Sequence, residues 1–396
     1  MTTTPLTADV LATLDALLPE LIGFRRDLHA HPELSREEVR TAAAIADRLR
    51  QAGLTPVSVC GTAVVADIGA HEASHRIALR ADIDALPVQE RTGLDWSSTT
   101  RGVCHACGHD VHTAIVLGVG LVLATLSDDL AAAGVGVRLI FQHAEERIPG
   151  GAHDLLEAGV MEGVDSVFAL HCDPSIDVGQ VGLREGAITA ACDSVTVHVT
   201  GKGGHTSRPH LTEDLTFALA KVVTEVPAAL SRRIDPRAGF ALVWGRVEAG
   251  VASNVIPSSG VAAGTLRILD ASAWDAIGDL LEQVIEDVVA PYGVRTRIEH
   301  VKGVPPVVNR GPAIAALGRA ARAVDLTPVP TAQSMGGEDF SWLMQDTPGA
   351  LARLGTRTPG GPTYDLHQGD LIVDEGAIRA GAALLIRLVL DRGALG

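Results

Sequence analysis

The sequence predicts an α/β fold in which a larger domain with a mostly parallel central sheet is interrupted by a smaller ferredoxin-like domain. Strand-like apolar runs alternate with helical patterns in the first half of the chain, and this order is typical of a parallel sheet covered by helices. The middle of the chain instead follows the order βαββαβ, the split pattern of ferredoxin-like domains. We therefore predict a larger domain formed by residues 1–188 and 304–396, with the inserted domain at 189–303.

The first segment begins with two predicted helices. Leucine and phenylalanine recur at helical spacing between Leu11 and Leu28, which indicates one amphipathic helix. Ser35 followed by Glu38 has the form of a capping box, so a second helix is expected from this point to Gln51. Strands and helices then alternate, with strands at 63–68, 76–81, 137–141 and 166–170 and helices at 112–126 and 152–158.

The inserted domain and the last segment follow from the same patterns. Strands are expected at 193–200, 240–247, 261–268 and 294–301, and helices at 212–230 and 271–289. Residues 303–306 have the composition of a linker back to the larger domain, and helices are expected at 313–323 and 375–390. The larger domain is therefore expected to be built from both ends of the sequence.

Composition excludes several classes of function. The chain has 396 residues, a formal net charge of −16, 46% hydrophobic and 20% charged residues, which fits two or three folded domains. The acidic balance argues against nucleic-acid binding. The start lacks a signal-peptide pattern, and the longest apolar run, residues 113–126, is shorter than the ~20 residues of a membrane helix. Because the five cysteines lack disulfide-scaffold spacing, we expect a soluble, cytoplasmic protein with no membrane partner.

Side chains suited to chemistry follow three of the predicted strands. Asp82 and Asp84 come after the strand at 76–81, and Glu145 and Glu146 come after the strand at 137–141. His171 directly follows the strand at 166–170. Ligands of open α/β sheets bind at the carboxyl ends of the strands, so we expect these five side chains to lie at one edge.

The densest group of such residues is the segment HACGHDVH at 105–112. Thiolate, imidazole and carboxylate together suit a borderline divalent ion such as zinc, manganese or cobalt. Cys107 and His109 fit a turn that opens the next helix, with Gly108 between them. Of the adjacent pair Glu145 and Glu146, one can bind metal while the other accepts a proton from a metal-activated water.

Six segments resemble the hippurate hydrolase and auxin-conjugate hydrolase branch of the dinuclear metallopeptidase and aminoacylase superfamily. They are RRDLHAHPEL at 25–34, LRADIDALP at 79–87, HACGHDVH at 105–112, AEE at 144–146, GGHTSRPH at 203–210 and GGEDF at 336–340. The resemblance extends over essentially the whole chain and preserves the order of the motifs. It implies an amidohydrolase that uses two divalent metal ions per subunit (manganese, zinc, cobalt or nickel), with a catalytic larger domain and an inserted lid or dimerisation domain.

The resemblance also assigns residues in the larger domain. It implies that Glu145 is the general base. Asp82 stands where relatives have a metal-binding histidine, and Asp84 where they have its orienting aspartate, so both are expected to support the ligands rather than bind metal. The implied metal ligands are Cys107, His109, Glu146, His171 and His367.

Three positions in the inserted domain match residues that contact substrate in relatives. His205 resembles the histidine that contacts the substrate carbonyl, and Asn254 and Arg267 resemble substrate-contacting lid residues. In some relatives the histidine reaches the active site of the partner subunit. The resemblance therefore implies a homodimer in which His205 acts across the interface as an oxyanion donor.

The chain departs from the family pattern beside two of these motifs. His143 precedes residues 144–146 where proline is usual, and Arg147 follows them where a small or acidic residue is commoner. After His367 comes Gln-Gly-Asp at 368–370, where the branch often has Ser-Pro. These changes keep every proposed ligand but can reshape the substrate pocket.

The predicted function is hydrolysis of an N-acyl amino acid or a related small amide or dipeptide. A metallo-dipeptidase or carboxypeptidase of the same superfamily is the nearest alternative. A second alternative makes Cys107 a nucleophile, and such an enzyme would survive removal of metal. A third is a metal-binding or ligand-binding protein without turnover, which would not need Glu145. The sequence leaves the acyl group, the amino acid, the stereochemistry and the metal open.

Overall fold

The computed structural model of the chain describes residues 5–391, with side chains from residue 9 onward. The outer ends of the predicted domain segments, residues 1–4 and 392–396, lie outside the described residues. The chain forms two compact units. The first contains the described residues up to Gly186, then Val308–Ala332, and the described residues from Asp339 to Asp391. The second contains Ala187–Val307 and the short stretch Gln333–Glu338.

The helices and strands of this part of the chain follow in order. The helices are α1 Pro5–Ala30, α2 Val39–Gln51, α3 His109–Ala124, α4 Ser127–Ala132, α5 Gly151–Glu157, α6 Leu215–Arg233, α7 Ala271–Val289, α8 Gly311–Ala323, α9 Phe340–Leu343 and α10 Gly376–Leu390. The strands are β1 Val57–Val59, β2 Ala63–Gly69, β3 His75–Asp82, β4 Val135–Gln142, β5 Ser166–Asp177, β6 Gln180–Leu183, β7 Gly186–Ala187, β8 Ala191–Thr200, β9 Gly204–His205, β10 Ala241–Ala249, β11 Val255–Ile256, β12 Ser259–Ile268, β13 Arg295–Val304, β14 Val308–Asn309, β15 Thr327–Pro330 and β16 Gly349–Arg357.

The first unit is built on one large sheet with the strand order β1-β2-β4-β3-β5-β16-β6-β15. Its centre, from β4 through β3 and β5 to β16, is parallel, whereas β1, β2 and β6 join neighbours in antiparallel fashion. This arrangement confirms the predicted mostly parallel central sheet. Because Asp82 pairs with Gln142 at the ends of β3 and β4, the side chains that follow these strands emerge at the same edge.

Helix α3 is the buried centre of the first unit, and every residue from His109 to Leu123 is buried. A helix that is apolar on all sides is expected to be covered on all sides, and α3 packs against α1, α10 and the sheet. Its glycines allow this close approach, since a Cβ at Gly120 would lie 2.5 Å from Cδ1 of Leu139. Within residues 5–391, no helix combines the length and apolarity required to cross a membrane.

The second unit has an antiparallel sheet with the strand order β10-β12-β8-β13. Helix α6 connects β8 to β10 and α7 connects β12 to β13, which confirms the predicted βαββαβ order. Helix α6 begins later than expected, because Asp214 caps it by accepting the backbone N–H of Phe217. The strand β10 lies at an edge of this sheet.

The predicted capping box at the start of α2 is wrong. The helix begins at Val39, and the side chains of Ser35 and Glu38 make no capping bond within the described part of the chain. Glu33 performs this role instead, because its carboxylate accepts the backbone N–H groups of Arg40 and Thr41 at 2.9 and 2.8 Å. Ser35 and Glu38 are therefore available to other partners.

The sequence analysis also missed β16, which lies between β5 and β6 in the sheet. Almost every residue of this strand is buried. A strand covered on both faces has no alternation of polar and apolar residues, and its glycines and arginines further weaken the pattern. The strand β5 was also predicted too short, since it was expected at 166–170 and extends over Ser166–Asp177.

Candidate metal centre

Potential metal ligands gather at the ends of β3 and β4, in the middle of β5 and at the turn before α3, and all but the exposed His367 are buried or half-buried. Cys107, His109 and His171 each offer a ligand atom, and these atoms lie within 4.8 Å of one another. Cys107, Glu146 and His367 form a second group within the same limit. Since the two groups share Cys107, the five side chains form one continuous cluster, which we call the ligand cluster. These are the five residues that the sequence analysis named as ligands.

The turn between Cys107 and His109 depends on glycine. Gly108 has a φ of +84°, and a Cβ at this position would lie 2.8 Å from Sγ of Cys172. Glycine alone adopts this backbone without strain. The turn places Cys107 just before α3 and His109 in its first position, so two ligands that are two residues apart reach the same cluster.

His109 is oriented by Asp84. Its Nδ1 donates to Oδ1 of Asp84 at 3.1 Å and lies 3.0 Å from the Asp84 carbonyl oxygen, so Nε2 faces the ligand cluster. Burial alone would raise the pKa of Asp84, but the hydrogen bond from His109 helps to lower it below its usual value. The prediction that Asp84 supports a ligand thus agrees with its contacts, because an ionised carboxylate fixes the imidazole tautomer.

His171 and Cys107 lie in a strongly desolvated part of the cluster. Nδ1 of His171 donates to the carbonyl of Cys172 at 2.8 Å, which leaves Nε2 at 3.5 Å from Sγ of Cys107. Burial lowers the pKa of His171, so the neutral form that binds metal is favoured. Burial also raises the pKa of the Cys107 thiol.

The C-terminal segment folds back onto the first unit and brings His367 to the cluster. The backbone N–H of His367 donates to the carbonyl of Ala106 at 2.7 Å. Its Nε2 lies 3.4 Å from Oε1 of Glu146. Contacts with Cys107 and Glu146 raise the pKa of His367 to about 10.

Two buried atoms of the ligand cluster indicate that it can hold a cation. His109 Nε2 and Glu146 Oε1 are buried, and neither makes a well-aligned hydrogen bond among the described residues, although Oε1 of Glu146 lies 3.4 Å from Nε2 of His367. These two atoms lie 3.9 Å apart. Buried polar atoms without partners are costly, and a cation between nitrogen, oxygen and sulfur donors would satisfy both. The donor set suits a borderline divalent ion such as zinc.

Glu145 and Glu146 both lie beside His109, with which they form a third group of potential ligand atoms. Oε2 of Glu145 lies 4.0 Å from Nε2 of His109. Glu146, unlike Glu145, also belongs to the group with Cys107 and His367. Both carboxylates thus approach Nε2 of His109, and the two differ in that Glu146 also reaches Cys107 and His367.

Asp82 is engaged by two cationic or donor side chains. Oδ2 accepts a hydrogen bond from Nη1 of Arg80 at 2.6 Å, and Oδ1 accepts one from Nδ1 of His112 at 2.6 Å. The second nitrogen of His112 accepts the backbone N–H of Cys172 at 2.8 Å. Oδ2 of Asp82 lies 3.7 Å from Nε2 of His109. These contacts support the prediction that Asp82 stabilises the surroundings of the ligands.

A buried network beside Asp82 was not predicted. Arg80 is 1% exposed and donates to Gln142 at 2.7 Å and to Asp339 at 2.9 Å. Asp339 also accepts the amide of Gln142 and the backbone N–H of Ala152. The sequence carried one signal, a charged residue inside the apolar run of β3, because such a residue needs buried partners.

Two residues of the segment RRDLHAHPEL at 25–34 contact the first turn of α3. Nδ1 of His29 lies 2.9 Å from Oδ2 of Asp110, and Nε of Arg25 lies 2.6 Å from the same oxygen. Burial alone would lower the pKa of His29, but Asp110 raises it to about 9. Since Asp110 directly follows His109, α1 helps to fix the position of a proposed ligand.

Two of the residues that depart from the family pattern, His143 and Arg147, flank residues 144–146. His143 is buried, and its Nε2 lies 3.2 Å from Oδ2 of Asp154. Arg147 is exposed. Neither side chain replaces a ligand.

The predicted substrate-contacting residues lie in the second unit. His205 in β9 pairs with Val255 in β11, and the carbonyl of Asn254 accepts the backbone N–H of Thr206 at 3.2 Å. His205 and Asn254 are thus neighbours, and both are exposed. Arg267 lies apart on β12 and donates to a backbone carbonyl within the same unit.

Comparison with known proteins identifies the family. The model of Peptidase family M20/M25/M40 matches residues 78–391. A Rhodococcus jostii (strain RHA1) protein that carries the name glutamate–cysteine ligase 2-3 is 46% identical over 387 residues, which cover 96% of this chain and 48% of that protein. The chain thus spans about half the length of this relative. N-acetyl-L-cysteine deacetylase of Bacillus subtilis (strain 168) is 36% identical over 367 residues, which cover 92% of this chain and 86% of that protein.

A solved structure extends the similarity to the fold. A Bacillus subtilis protein described as a dinuclear metal-binding peptidase from the M20 family has a TM-score of 0.82 and 34% identity, with 95% of this chain and 98% of that chain covered. These matches confirm the resemblance found in the motifs and the expected enzyme class, a hydrolase of amide bonds. The chain belongs to peptidase family M20/M25/M40.

Proposed function

We propose that the chain hydrolyses the amide bond of an N-acyl amino acid or a related small amide or dipeptide. The ligand cluster carries this proposal, because it brings together nitrogen, oxygen and sulfur atoms of the kinds that bind divalent metal ions. The relative named N-acetyl-L-cysteine deacetylase supports a substrate with an acylated amino group. The family description, a peptidase family, supports an amide as the bond that is cleaved.

Two divalent ions fit the two overlapping groups of the cluster. Cys107, His109 and His171 would hold one ion, and Cys107, Glu146 and His367 the other. The structural neighbour described as dinuclear supports this number. When bound, such ions supply Lewis-acid activation of water and of a carbonyl group. Manganese, zinc, cobalt and nickel are the candidates.

Glu145 would act as the general base. It takes a proton from the attacking water and passes it to the leaving amine. Its place beside His109, outside the group of Cys107 and His367, supports this role. A binding protein without turnover would have no use for a second carboxylate here.

The second unit would supply substrate contacts and the dimer interface. His205 is proposed to stabilise the oxyanion and Arg267 to bind the amino-acid carboxylate, for which a planar guanidinium is suited. Asn254 lies next to His205 and would contact the same substrate. The edge strand β10 exposes Val243 and Val247, and edge strands pair readily with another copy. These features support a homodimer, and a cytoplasmic location stays a prediction.

The decisive experiment separates the two adjacent glutamates. The chain is reconstituted with each candidate metal and assayed with acetyl, benzoyl and long-chain acyl amino acids and with dipeptides. Glu145→Gln should abolish turnover while the metal content stays that of the unchanged protein. Glu146→Gln, the matched control, should lose metal. If Glu145→Gln loses metal in parallel with activity, Glu145 is a ligand and the proposed roles are reversed.

A further inference from the structure

The turn that carries Glu145 and Glu146 has an unusual backbone. Ala144, at its start, has a φ of +50°. Residues with a Cβ rarely adopt this left-handed region, and they keep it only when the surrounding structure holds them there. Ala144 is fully buried. The direction of the next two side chains therefore depends on whatever fixes this residue.

Two buried carboxylates hold the backbone of this turn. Oε1 of Glu38 accepts the N–H of Ala144 at 2.8 Å, and Oδ2 of Asp84 accepts the N–H of Glu146 at 3.0 Å. Both carboxylates come from other parts of the first unit. The backbone of the turn is therefore held by hydrogen bonds on both sides of Glu145.

Both of these carboxylates are connected to residues 33–38, the short segment before α2. The hydroxyl of Ser35 donates to the same Oδ2 of Asp84 at 2.7 Å. The carbonyl of Glu33 accepts the N–H of Ala85 at 2.8 Å, which joins the segment to the end of β3. Residues 33–38 therefore contact the turn at 144–146 directly through Glu38, and indirectly through Ser35, which binds Asp84.

Both oxygens of the Glu38 side chain accept hydrogen bonds from residues outside α2. Its side chain is 0% exposed, and its second oxygen accepts the hydroxyl of Thr62 at 2.6 Å. Among the described residues, its hydrogen-bond partners are neutral donors. A buried carboxylate without a cation is costly, and Glu38 makes no capping bond to α2. The contact that distinguishes this side chain is the one to Ala144.

We propose that Glu38 is a positioning residue for the reaction, because it holds Ala144 in the left-handed conformation that directs Glu145 toward the attacking water. Ser35 assists from the other side of the turn by holding Asp84. This inference rests on the proposed function of Glu145. Glu38 itself touches neither substrate nor metal.

The kinetic test uses two substitutions of Glu38 and a matched control. Glu38→Ala should lower kcat about 10- to 100-fold, with KM within about twofold, because the base is misplaced while binding is retained. Glu38→Gln should recover most of kcat, since the amide oxygen still accepts the N–H of Ala144. Thr62→Val removes the other hydrogen bond of Glu38 and should keep kcat within about threefold. Metal content should be equal in all three variants.

Hydrogen exchange provides a second readout that does not depend on activity. The amide of Ala144, followed in a peptide covering residues 142–147, should exchange at least about tenfold faster in Glu38→Ala than in the unchanged protein. Thr62→Val should leave it unchanged. If Glu38→Ala does not fold, Ser35→Ala replaces it, with faster exchange at Glu146 and a lower kcat as the expected result.

Two results would overturn the proposal. One is equal loss of kcat in Glu38→Ala and Thr62→Val, which would indicate general destabilisation. The other is unchanged exchange at Ala144 in a folded Glu38→Ala protein. Failure of the proposed function looks different: Glu145→Gln would keep full turnover, or no amide substrate would be hydrolysed. Exchange would still decide whether Glu38 holds the turn.

Discussion

Replacing Gly108 by alanine tests whether the turn between Cys107 and His109 brings these side chains together. A Cβ at Gly108 would lie 2.8 Å from Sγ and 3.0 Å from Cβ of Cys172. The left-handed backbone costs an alanine about 1–2 kcal/mol, and overpacking a buried contact adds about 1–3 kcal/mol. Gly108→Ala should therefore lower the free energy of unfolding by about 2–5 kcal/mol.

Gly53→Ala is the matched control for this substitution. Gly53 has the same φ of +84°, but nothing lies within 4 Å of its added Cβ. Gly53→Ala should lower the free energy of unfolding by the cost of the left-handed backbone alone, about 1–2 kcal/mol. Urea unfolding of the metal-free proteins measures both losses, and metal titration measures affinity.

The two variants should also differ in metal binding. Gly108→Ala should bind metal at least about tenfold more weakly, a difference of about 1.4 kcal/mol, because the clash displaces one or both ligands. Gly53→Ala should bind as the unchanged protein does. Equal losses of stability in the two variants, with metal affinity unchanged, would refute the argument that the turn shapes the site.

Other variants test single contacts. Cys107→Ser should bind metal more weakly and shift selectivity away from zinc toward harder ions, as measured by metal analysis, and unchanged selectivity would exclude Cys107 as a ligand. The pKa of His29 is raised to about 9, so the protonated form of His29 stabilises the folded, metal-free protein. The free energy of unfolding should therefore fall by up to about 3 kcal/mol as the pH rises from 6.5 to 9. This loss should be absent in His29→Gln and retained in the exposed control His31→Gln. Mixing inactive Glu145→Gln and His205→Ala subunits should restore part of the activity if His205 acts across a dimer. Confirmed subunit exchange without recovery would contradict that arrangement.

Local sequence patterns were sufficient for most helices and for half of the strands that the structure describes. Helix α7 was predicted at 271–289 and extends over Ala271–Val289. Its apolar face repeats every three to four residues, and Asp270 caps it by accepting the N–H of Ala273 at 2.8 Å. Both signals lie within the segment itself. Such elements can be predicted because their determinants are close in sequence.

Elements whose neighbours are distant were harder to predict. The central strand β16 has no alternating pattern, because it is covered on both faces. Ser35 and Glu38 fit the spacing of a capping box, yet they bind Asp84 and Ala144. A side chain that can cap a helix can equally bind a more distant backbone group, and sequence spacing does not distinguish these cases.

The sequence by itself determined the types of ligand and the order of the elements, because thiolate, imidazole and carboxylate chemistry belongs to the residues themselves. Only the tertiary structure decided which of these atoms meet. His367 joins Cys107 because its backbone N–H binds the carbonyl of Ala106. Glu38 reaches Ala144 across 106 residues of chain. These contacts depend on packing between distant segments, whose geometry no local pattern encodes.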